Sequence, residues 1–188
     1  MGEMFIAADC RFFDRAAAQS EFLEVDKYND LLVTEINKAV DNEDSIIFSG
    51  KITKGTFEET KELFKKIKGF KYIIDYSNQT YFTVEQWHDI GFLYVWDTPG
   101  SIKAKILNEE GYIVLATDRD SLLSGKVKSN CYVAAAQSLS NQEERYKDKV
   151  LNISMYEWGF EPIELEERLP QIFDDMETFL SMEDEKEE

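Results

Sequence analysis

The sequence predicts an α/β fold made of two mixed sheets, and three observations lead to this prediction. Apolar runs of strand length alternate with amphipathic helical segments in the N-terminal half. In the C-terminal half, shorter candidate strands follow one another with little helix between them. The chain of 188 residues, of which 43% are hydrophobic, can bury a substantial core and contains no dividing linker. We therefore expect a parallel sheet with right-handed crossovers and a second, more antiparallel sheet packed on it.

Apolar periodicity predicts the first strand and the first long helix. Met4–Ala8 is a short apolar run that ends at a charged residue. Leu32, Ile36 and Val40 then recur every four residues, which predicts an amphipathic helix over Asp26–Val40.

A second strand, a second helix and a third strand continue this alternation. Ser45–Phe48 is apolar and precedes a serine and a glycine. Thr56 and Glu59 have the spacing of a capping box, which predicts the start of a helix that ends at Gly69. Lys71–Ile74 is the third strand. Short connections between these elements predict parallel strands.

The second half opens with another capping box. Thr83 and Gln86 have the required spacing, and they predict a short helix that ends near Gly91. The polar stretch Asn108–Gly111 is typical of a hairpin turn. The candidate strands of this half, from which the second sheet is expected, are Phe92–Trp96, Ser101–Leu107, Tyr112–Ala116, Ser129–Ala134 and Val150–Met155.

Residues 169–188 are predicted to extend, as an amphipathic helix and an acidic tail, a domain formed by residues 1–168. The tail, Met182–Glu188, is expected to fray. The predicted helix has a wide apolar face. Such a face has to be covered, either by its own domain or by a protein partner or second copy of the chain. The residues of that face are Leu169, Ile172, Phe173, Met176, Phe179 and Leu180.

The acidic composition argues against several classes of partner. With 38 acidic and 21 basic residues, the chain has a formal net charge of −17. Such a surface repels nucleic acids and anionic membranes, so we expect neither as a partner. The apolar runs are too short to span a bilayer, and the first residues lack a secretory signal. With two cysteines, Cys10 and Cys131, we expect a reduced chain in the cytoplasm.

A single histidine limits the metal chemistry. Because His88 is the only imidazole, the chain cannot build a multi-histidine metal site. Its place on a short predicted helix indicates a surface or capping role. The sequence contains no nucleophile elbow, P-loop or dinucleotide-binding motif.

Five short segments resemble motifs of a known family. In order, they are Asp9–Asp14 (DCRFFD), Gly50-Lys51, Ser77–Thr80 (SNQT), Val114–Thr117 (VLAT) and Val133–Ser138 (VAAAQS). Together with Phe82–Phe92 and Leu151–Leu165, they resemble the calcineurin-like metallophosphoesterase superfamily, in particular its small bacterial and phage members. That family carries Asp-x-His, Gly-Asp, Gly-Asn-His-Asp, His and Gly-His-x-His motifs at the five places.

The resemblance covers Met4–Glu167 and implies an α-β-β-α sandwich of two mixed sheets with a C-terminal helix extension. Enzymes of this family hold two divalent metals, such as Mn or Fe and Zn, with Asp, His and Asn ligands. Only Asp9 and Asn78 match such ligands here. Arg11 and Lys51 are cationic, so we expect no metal, no cofactor and no catalytic residue.

Two arrangements of the matching residues remain open. In the first, Asp9 pairs with Arg11 or Lys51 and closes the ancestral metal site. In the second, Asp9, Arg11, Lys51, Ser77 and Asn78 line a metal-free anion pocket in which the arginine contacts phosphate. Either arrangement favours a non-catalytic binding or scaffolding module.

Two further functions also remain open. A residual phosphoesterase would use an unorthodox, oxygen-rich metal site formed by Asp9, Asp14 and Asp118. An acidic inhibitor that mimics nucleic acid would use the negative charge to bind a basic partner. High solubility is the simpler explanation of that charge.

Overall fold

The computed structural model describes residues 2–74, 82–96, 100–106, 109–116, 132–136 and 150–187. The described strands are β1 (Met4–Ala8), β2 (Ser45–Ser49), β3 (Phe70–Ile73), β4 (Phe92–Val95), β5 (Gly100–Ile106), β6 (Glu109–Ala116), β7 (Tyr132–Ala135), β8 (Val150–Asn152) and β9 (Ile163–Glu164). The described helices are α1 (Arg15–Ser20), α2 (Val25–Ala39), α3 (Phe57–Phe64), α4 (Val84–Ile90) and α5 (Arg168–Glu187), with a 3-10 turn at Met155–Trp158. This is an α/β fold with two mixed sheets, which confirms that part of the predicted fold class.

The first sheet has the strand order β4-β3-β2-β1-β9. Its first four strands in the chain are parallel, and only β9 runs antiparallel. Ala8 lies opposite Ser49, and Phe48 lies opposite Ile73. The carboxyl ends of β1 to β4 therefore share one edge of the sheet, as parallel strands require. The predicted parallel arrangement of the first three strands is confirmed.

The second sheet has the order β5-β6-β7-β8 and is more parallel than expected. Only β5 and β6 are antiparallel, whereas β6, β7 and β8 run parallel to one another. The grouping of Phe92–Trp96 with this sheet is wrong, because β4 pairs with β3 in the first sheet. The short helix α4 lies between β3 and β4 in the chain, so it continues the strand-helix-strand pattern of the first half.

The hairpin of the second sheet is also placed differently from the prediction. Ile106 lies opposite Glu109, and Ala104 lies opposite Gly111, so Glu109–Gly111 belongs to a strand and not to a turn. In the same register, Lys105 lies opposite Glu110.

Both predicted capping boxes are present. The Thr56 hydroxyl accepts a bond of 3.2 Å from the Glu59 amide, and the Glu59 carboxylate accepts one of 2.8 Å from the Thr56 amide. The same reciprocal pair at Thr83 begins α4. The predicted end of α3 at Gly69 is wrong, because the helix ends at Phe64 and is followed by tighter turns.

The first sheet separates two parts of the core. One face carries α1 to α4, whose buried side chains pack with the aromatic rings of Phe48, Phe64, Trp87 and Phe92. The other face packs on the second sheet and α5, through residues such as Ile47 and Leu115. Full burial of one such side chain contributes about 1.5–3 kcal/mol.

Helix α5 packs on its own domain. Leu169 and Phe173 are completely buried, and the rings of Phe173 and Tyr132 are 5.1 Å apart between centroids. Ile172 and Met176 pack partly against the same core. The helix continues to Glu187. The fraying expected for the acidic tail stays a prediction. No helix of the described ranges is long and apolar enough to cross a membrane.

Candidate functional site

The candidate site lies at the carboxyl edge of the first sheet, where the loops after β1 and β2 run side by side. The Asp9 amide donates to the Ser49 carbonyl at 2.9 Å, and the Arg11 amide donates to the Lys51 carbonyl at 2.9 Å. These bonds continue the pairing of the two strands into their loops. They bring together three of the predicted site residues, Asp9, Arg11 and Lys51.

The loop after β1 has an unusual backbone. Asp9, Arg11 and Phe13 have φ angles of 53°, 54° and 59°, in the left-handed region that non-glycine residues rarely adopt. Side chains of α2 hold this conformation. The Tyr28 hydroxyl donates to the Cys10 carbonyl at 3.0 Å, and the Phe13 amide donates to Asn29 Oδ1 at 2.9 Å.

The Asp9 carboxylate is engaged by both neighbouring cationic residues, in different ways. Its Oδ2 accepts a bond of 2.8 Å from Arg11 Nε, and its Oδ1 accepts one of 3.1 Å from the Lys51 backbone amide. Burial raises the pKa of Asp9, and the charges of Arg11 and Lys51 only partly oppose this effect. Of the two ion-pair partners predicted for Asp9, the structure therefore has Arg11.

Within the described part of the chain, Arg11 and Lys51 use only some of their hydrogen-bond donors. Arg11 uses only Nε, and its terminal amino groups have no hydrogen-bond partner among the described residues. Its side chain is 36% exposed. Lys51 is exposed, and its ammonium group forms no ion pair within the described ranges. Five N–H donors of an arginine form a rigid fork, so fixing Nε also fixes the direction of the other four.

The second sheet approaches this site closely at Gly50. Gly50 has a φ of 72°, and a Cβ atom there would lie 2.9 Å from the Cβ of Ala136. Only glycine fits such a contact without displacing one of the sheets. Ala136 is completely buried, so the second sheet presents a methyl group to this part of the site.

Sequence reasoning missed Ser49, which precedes Gly50. The side chain is 1% exposed, and Oγ has no hydrogen-bond partner within the described structure. A buried hydroxyl without a partner costs about 1–3 kcal/mol. A serine at the end of an apolar strand was the only signal in the sequence, and it does not reveal the missing bond.

The described residues do not fit the two-metal site that the resemblance implies. Each Asp9 oxygen already accepts a hydrogen bond, Arg11 cannot coordinate a cation, and Ala136, which approaches Gly50 from the second sheet, has only a methyl group. Within the described ranges, no three His, Cys, Asp or Glu side chains are grouped as metal ligands. The remaining predicted site residues, Ser77 and Asn78, lie outside the described residues.

Asp14 has a structural role in the described arrangement. Its Oδ1 accepts a bond of 3.0 Å from the Ala16 amide at the start of α1, and its Oδ2 pairs with Lys54 Nζ at 2.9 Å. Burial would raise the pKa of Asp14, but the bonds from Lys54 and Ala16 outweigh it and lower the pKa. Asp118, the third carboxylate of the alternative metal site, lies outside the described residues.

His88 lies at the surface, as the sequence indicates, and Cys10 is buried. His88 is exposed, and its Nδ1 lies 2.8 Å from the Phe92 carbonyl, which joins α4 to β4. Cys10 is 1% exposed, and its Sγ lies 3.5 Å from the sulfur of Met155. Burial raises the pKa of the Cys10 thiol, which keeps it protonated. Cys131 lies outside the described residues.

Comparison with known proteins identifies a similar fold. No family model and no curated protein matches the sequence. The structure is similar to the crystal structure of a protein of unknown function from Aquifex aeolicus, with a TM-score of 0.64. The two chains are 15% identical, and the match covers 87% of this chain and 96% of the other. The similarity shows that the two proteins share a fold.

Proposed function

We propose that this chain is a non-catalytic binding module on a degenerate metallophosphoesterase-like fold, and that it binds the phosphate group of a ligand without a metal. Arg11 and Lys51 are the residues that contact the phosphate. The observation that carries the proposal is the bond from Arg11 Nε to Asp9. It fixes the guanidinium group, whose terminal amino groups have no hydrogen-bond partner among the residues that the structure describes.

The chemistry of these two side chains suits a phosphate. The planar guanidinium group offers two parallel N–H bonds to phosphate oxygens, and the lysine adds a compact positive charge. Each hydrogen bond to a charged group contributes about 1.5–3 kcal/mol. The carboxyl edge of a parallel sheet is also the usual place for ligands in open α/β sheets.

The local charge favours an anion although the whole chain is acidic. One carboxylate, Asp9, and two cations, Arg11 and Lys51, leave an excess of one positive charge in a chain with a net charge of −17. Asp9 is a positioning residue in this proposal, because it orients Arg11 and does not contact the phosphate.

The backbone of the loop gives independent support. Left-handed residues other than glycine cost on the order of 1–3 kcal/mol each and are concentrated at functional sites. The residues Asp9 and Arg11 both adopt this conformation, and it directs the arginine back to the carboxylate two positions earlier.

Calorimetric titration with inorganic phosphate and phenyl phosphate tests the proposal. We expect Arg11→Ala to weaken binding about tenfold or more and Lys51→Ala to weaken it severalfold. Lys27→Ala is the control, because it removes the same charge from an exposed position of α2. Absence of heat with the unmodified chain, or equal affinity of the Arg11→Ala variant, would contradict the proposal.

A second measurement distinguishes a residual phosphoesterase from the proposed non-catalytic binding module. Protein purified with manganese is analysed for bound metal and assayed with bis-p-nitrophenyl phosphate. Stoichiometric metal, with turnover that is lost in an Asp9→Ala variant, would favour the enzyme. We expect neither, because the Asp9 oxygens are already engaged by Arg11 and Lys51.

A further inference from the structure

Three aromatic rings form a second feature on the first sheet, away from Arg11 and Lys51. Tyr72, Tyr94 and Trp96 lie with their ring planes within 5–10° of parallel, and their centroids are 5.4–6.0 Å apart. Tyr94 is 56% exposed and Trp96 is 45% exposed. We call this group the aromatic cluster. Large exposed aromatic groups of this kind mark interaction sites more often than isolated surface rings do.

A β-bulge creates the aromatic cluster. Lys71 pairs with Phe92, but the next residue, Tyr72, pairs with Tyr94, so Leu93 is an extra residue on β4. Side chains alternate along a strand, and Phe92 packs on the helix-covered face. Without the bulge, Tyr94 and Trp96 would face the helices as Phe92 does. Because of the bulge, Tyr94 and Trp96 instead lie on the same face of the sheet as Tyr72. Bulges often change the direction of side chains next to functional sites.

The aromatic cluster borders a cavity between the two sheets. The cavity has a volume of about 320 Å³, and Trp96 forms part of both the cluster and the cavity wall. The other walls are largely apolar, with side chains that include Ile47, Ile74, Ile102 and Leu115. This volume lies at the lower end of the range for small-molecule sites, which is about 300–1,000 Å³.

We propose that this cavity and the aromatic cluster bind a planar aromatic small molecule that is neutral or cationic. Parallel rings present flat faces on which another ring stacks, and these faces attract cations. The indole N–H of Trp96 has no hydrogen-bond partner within the described ranges and is available to an acceptor on the ligand. A net charge of −17 disfavours an anionic ligand here.

This site is separate from the proposed phosphate site. None of the described residues that form the aromatic cluster or line the cavity is Asp9, Arg11 or Lys51. A second copy of the chain is a less suitable partner for this site. The flat edge of its sheet could cover the aromatic cluster but would leave the cavity between the sheets unfilled. The two inferences are therefore independent, and one can fail without the other.

Titration with quinoline, N-methylquinolinium and the non-aromatic cyclohexanol tests the proposal. The readout is the indole N–H signal of Trp96, assigned with a Trp96→Phe variant. We expect both aromatic probes to shift this signal and cyclohexanol to leave it unchanged. The Trp158 indole, which donates to the Asn152 carbonyl at 2.8 Å, is the internal reference that stays in place.

Variants then locate the site. Trp96→Ala should weaken binding of the aromatic probes at least about fivefold, the loss expected for one stacked ring. Leu93→Ala, which removes an exposed apolar side chain from the same strand, and Arg11→Ala should change it less than twofold. If Trp96→Ala does not fold, Tyr94→Ala replaces it with the same expectation.

Three results would overturn the proposal. The first is that neither aromatic probe shifts the Trp96 signal at millimolar concentration. The second is that cyclohexanol competes equally well, which would indicate an unspecific apolar surface. The third is that the chain forms a dimer that Trp96→Ala dissociates, which would identify the aromatic cluster as a contact between copies.

Discussion

Asp9, Arg11 and Lys51 illustrate what single residues reveal before a structure is known. Asp9 and Lys51 follow adjacent parallel strands, so the order of elements in the sequence places them together. The bond between Asp9 and Arg11 depends on left-handed backbone at both residues. No glycine in the sequence indicates left-handed backbone at these positions. The sequence therefore predicts that Asp9 pairs with Arg11 or Lys51, but it does not show which of the two the carboxylate binds.

Ser49 gives a prediction about a buried hydroxyl. Ser49→Ala removes a group that has no hydrogen-bond partner in the described structure, so we expect the free energy of unfolding to rise by about 1 kcal/mol. Urea denaturation measures this change.

Thr53 provides the contrasting variant. Its Oγ1 lies 3.1 Å from Thr60 Oγ1 and accepts a bond of 3.0 Å from the Gly55 amide, so Thr53→Val should cost about 1–3 kcal/mol. A loss of stability in Ser49→Ala equal to that in Thr53→Val would mean that the Ser49 hydroxyl does have a partner.

Asp14 gives a prediction about pH. Its pKa in the folded chain is below the ordinary value of 3.8, so its charge stabilises the fold above that value, and this stabilisation is lost as the pH falls through the lowered pKa. Asp14→Asn keeps a residue that can cap α1 but removes the charge. Because Lys54 is largely exposed, we expect a loss of about 0.5–1 kcal/mol at pH 7.

Thermal or urea unfolding of both proteins between pH 2 and pH 7 measures this difference. The two stabilities should converge at the acid end, where Asp14 is protonated in the unmodified chain. A difference that is as large at pH 2 as at pH 7 would show that the ion pair with Lys54 is not its cause.

At the scale of elements, local signals predicted where helices begin better than which strands pair in the second half. The capping boxes at Thr56 and Thr83 begin α3 and α4 as expected, because a capping box is a contact within one turn. Helix α1 was missed because it has only six residues, and its buried Ala17 and Ala18 form no apolar stripe. The place of β4 in the first sheet depends on contacts with β3, which a local pattern does not contain.

Helix α5 gives the prediction at this scale. Phe173→Ala should lower the free energy of unfolding by about 3–5 kcal/mol, because its ring is completely buried against the chain's own core. Gln171→Ala, on the exposed side of the same helix, should change it by less than about 0.5 kcal/mol. Equal stability of the two variants would mean that the helix is held by a partner chain instead.

At the scale of the whole molecule, the close approach of Ala136 to Gly50 joins the second sheet to the candidate site. The fold similarity extends over 87% of the chain. The sequence could predict two sheets and the edge that carries the site, because these follow from the order of elements. Mimicry of nucleic acid and a cytoplasmic location stay predictions from composition, and a protein partner at α5 stays a prediction from the apolar face of that helix.

The most direct test of metal-free phosphate binding compares one titration under two conditions. Phosphate is titrated calorimetrically into the chain in the presence of EDTA and, separately, in the presence of excess manganese. We predict the same dissociation constant in both, with weaker binding at high salt because the contacts are ionic. Binding that appears only with manganese, together with stoichiometric metal on the protein, would contradict the proposed role of Arg11 and Lys51.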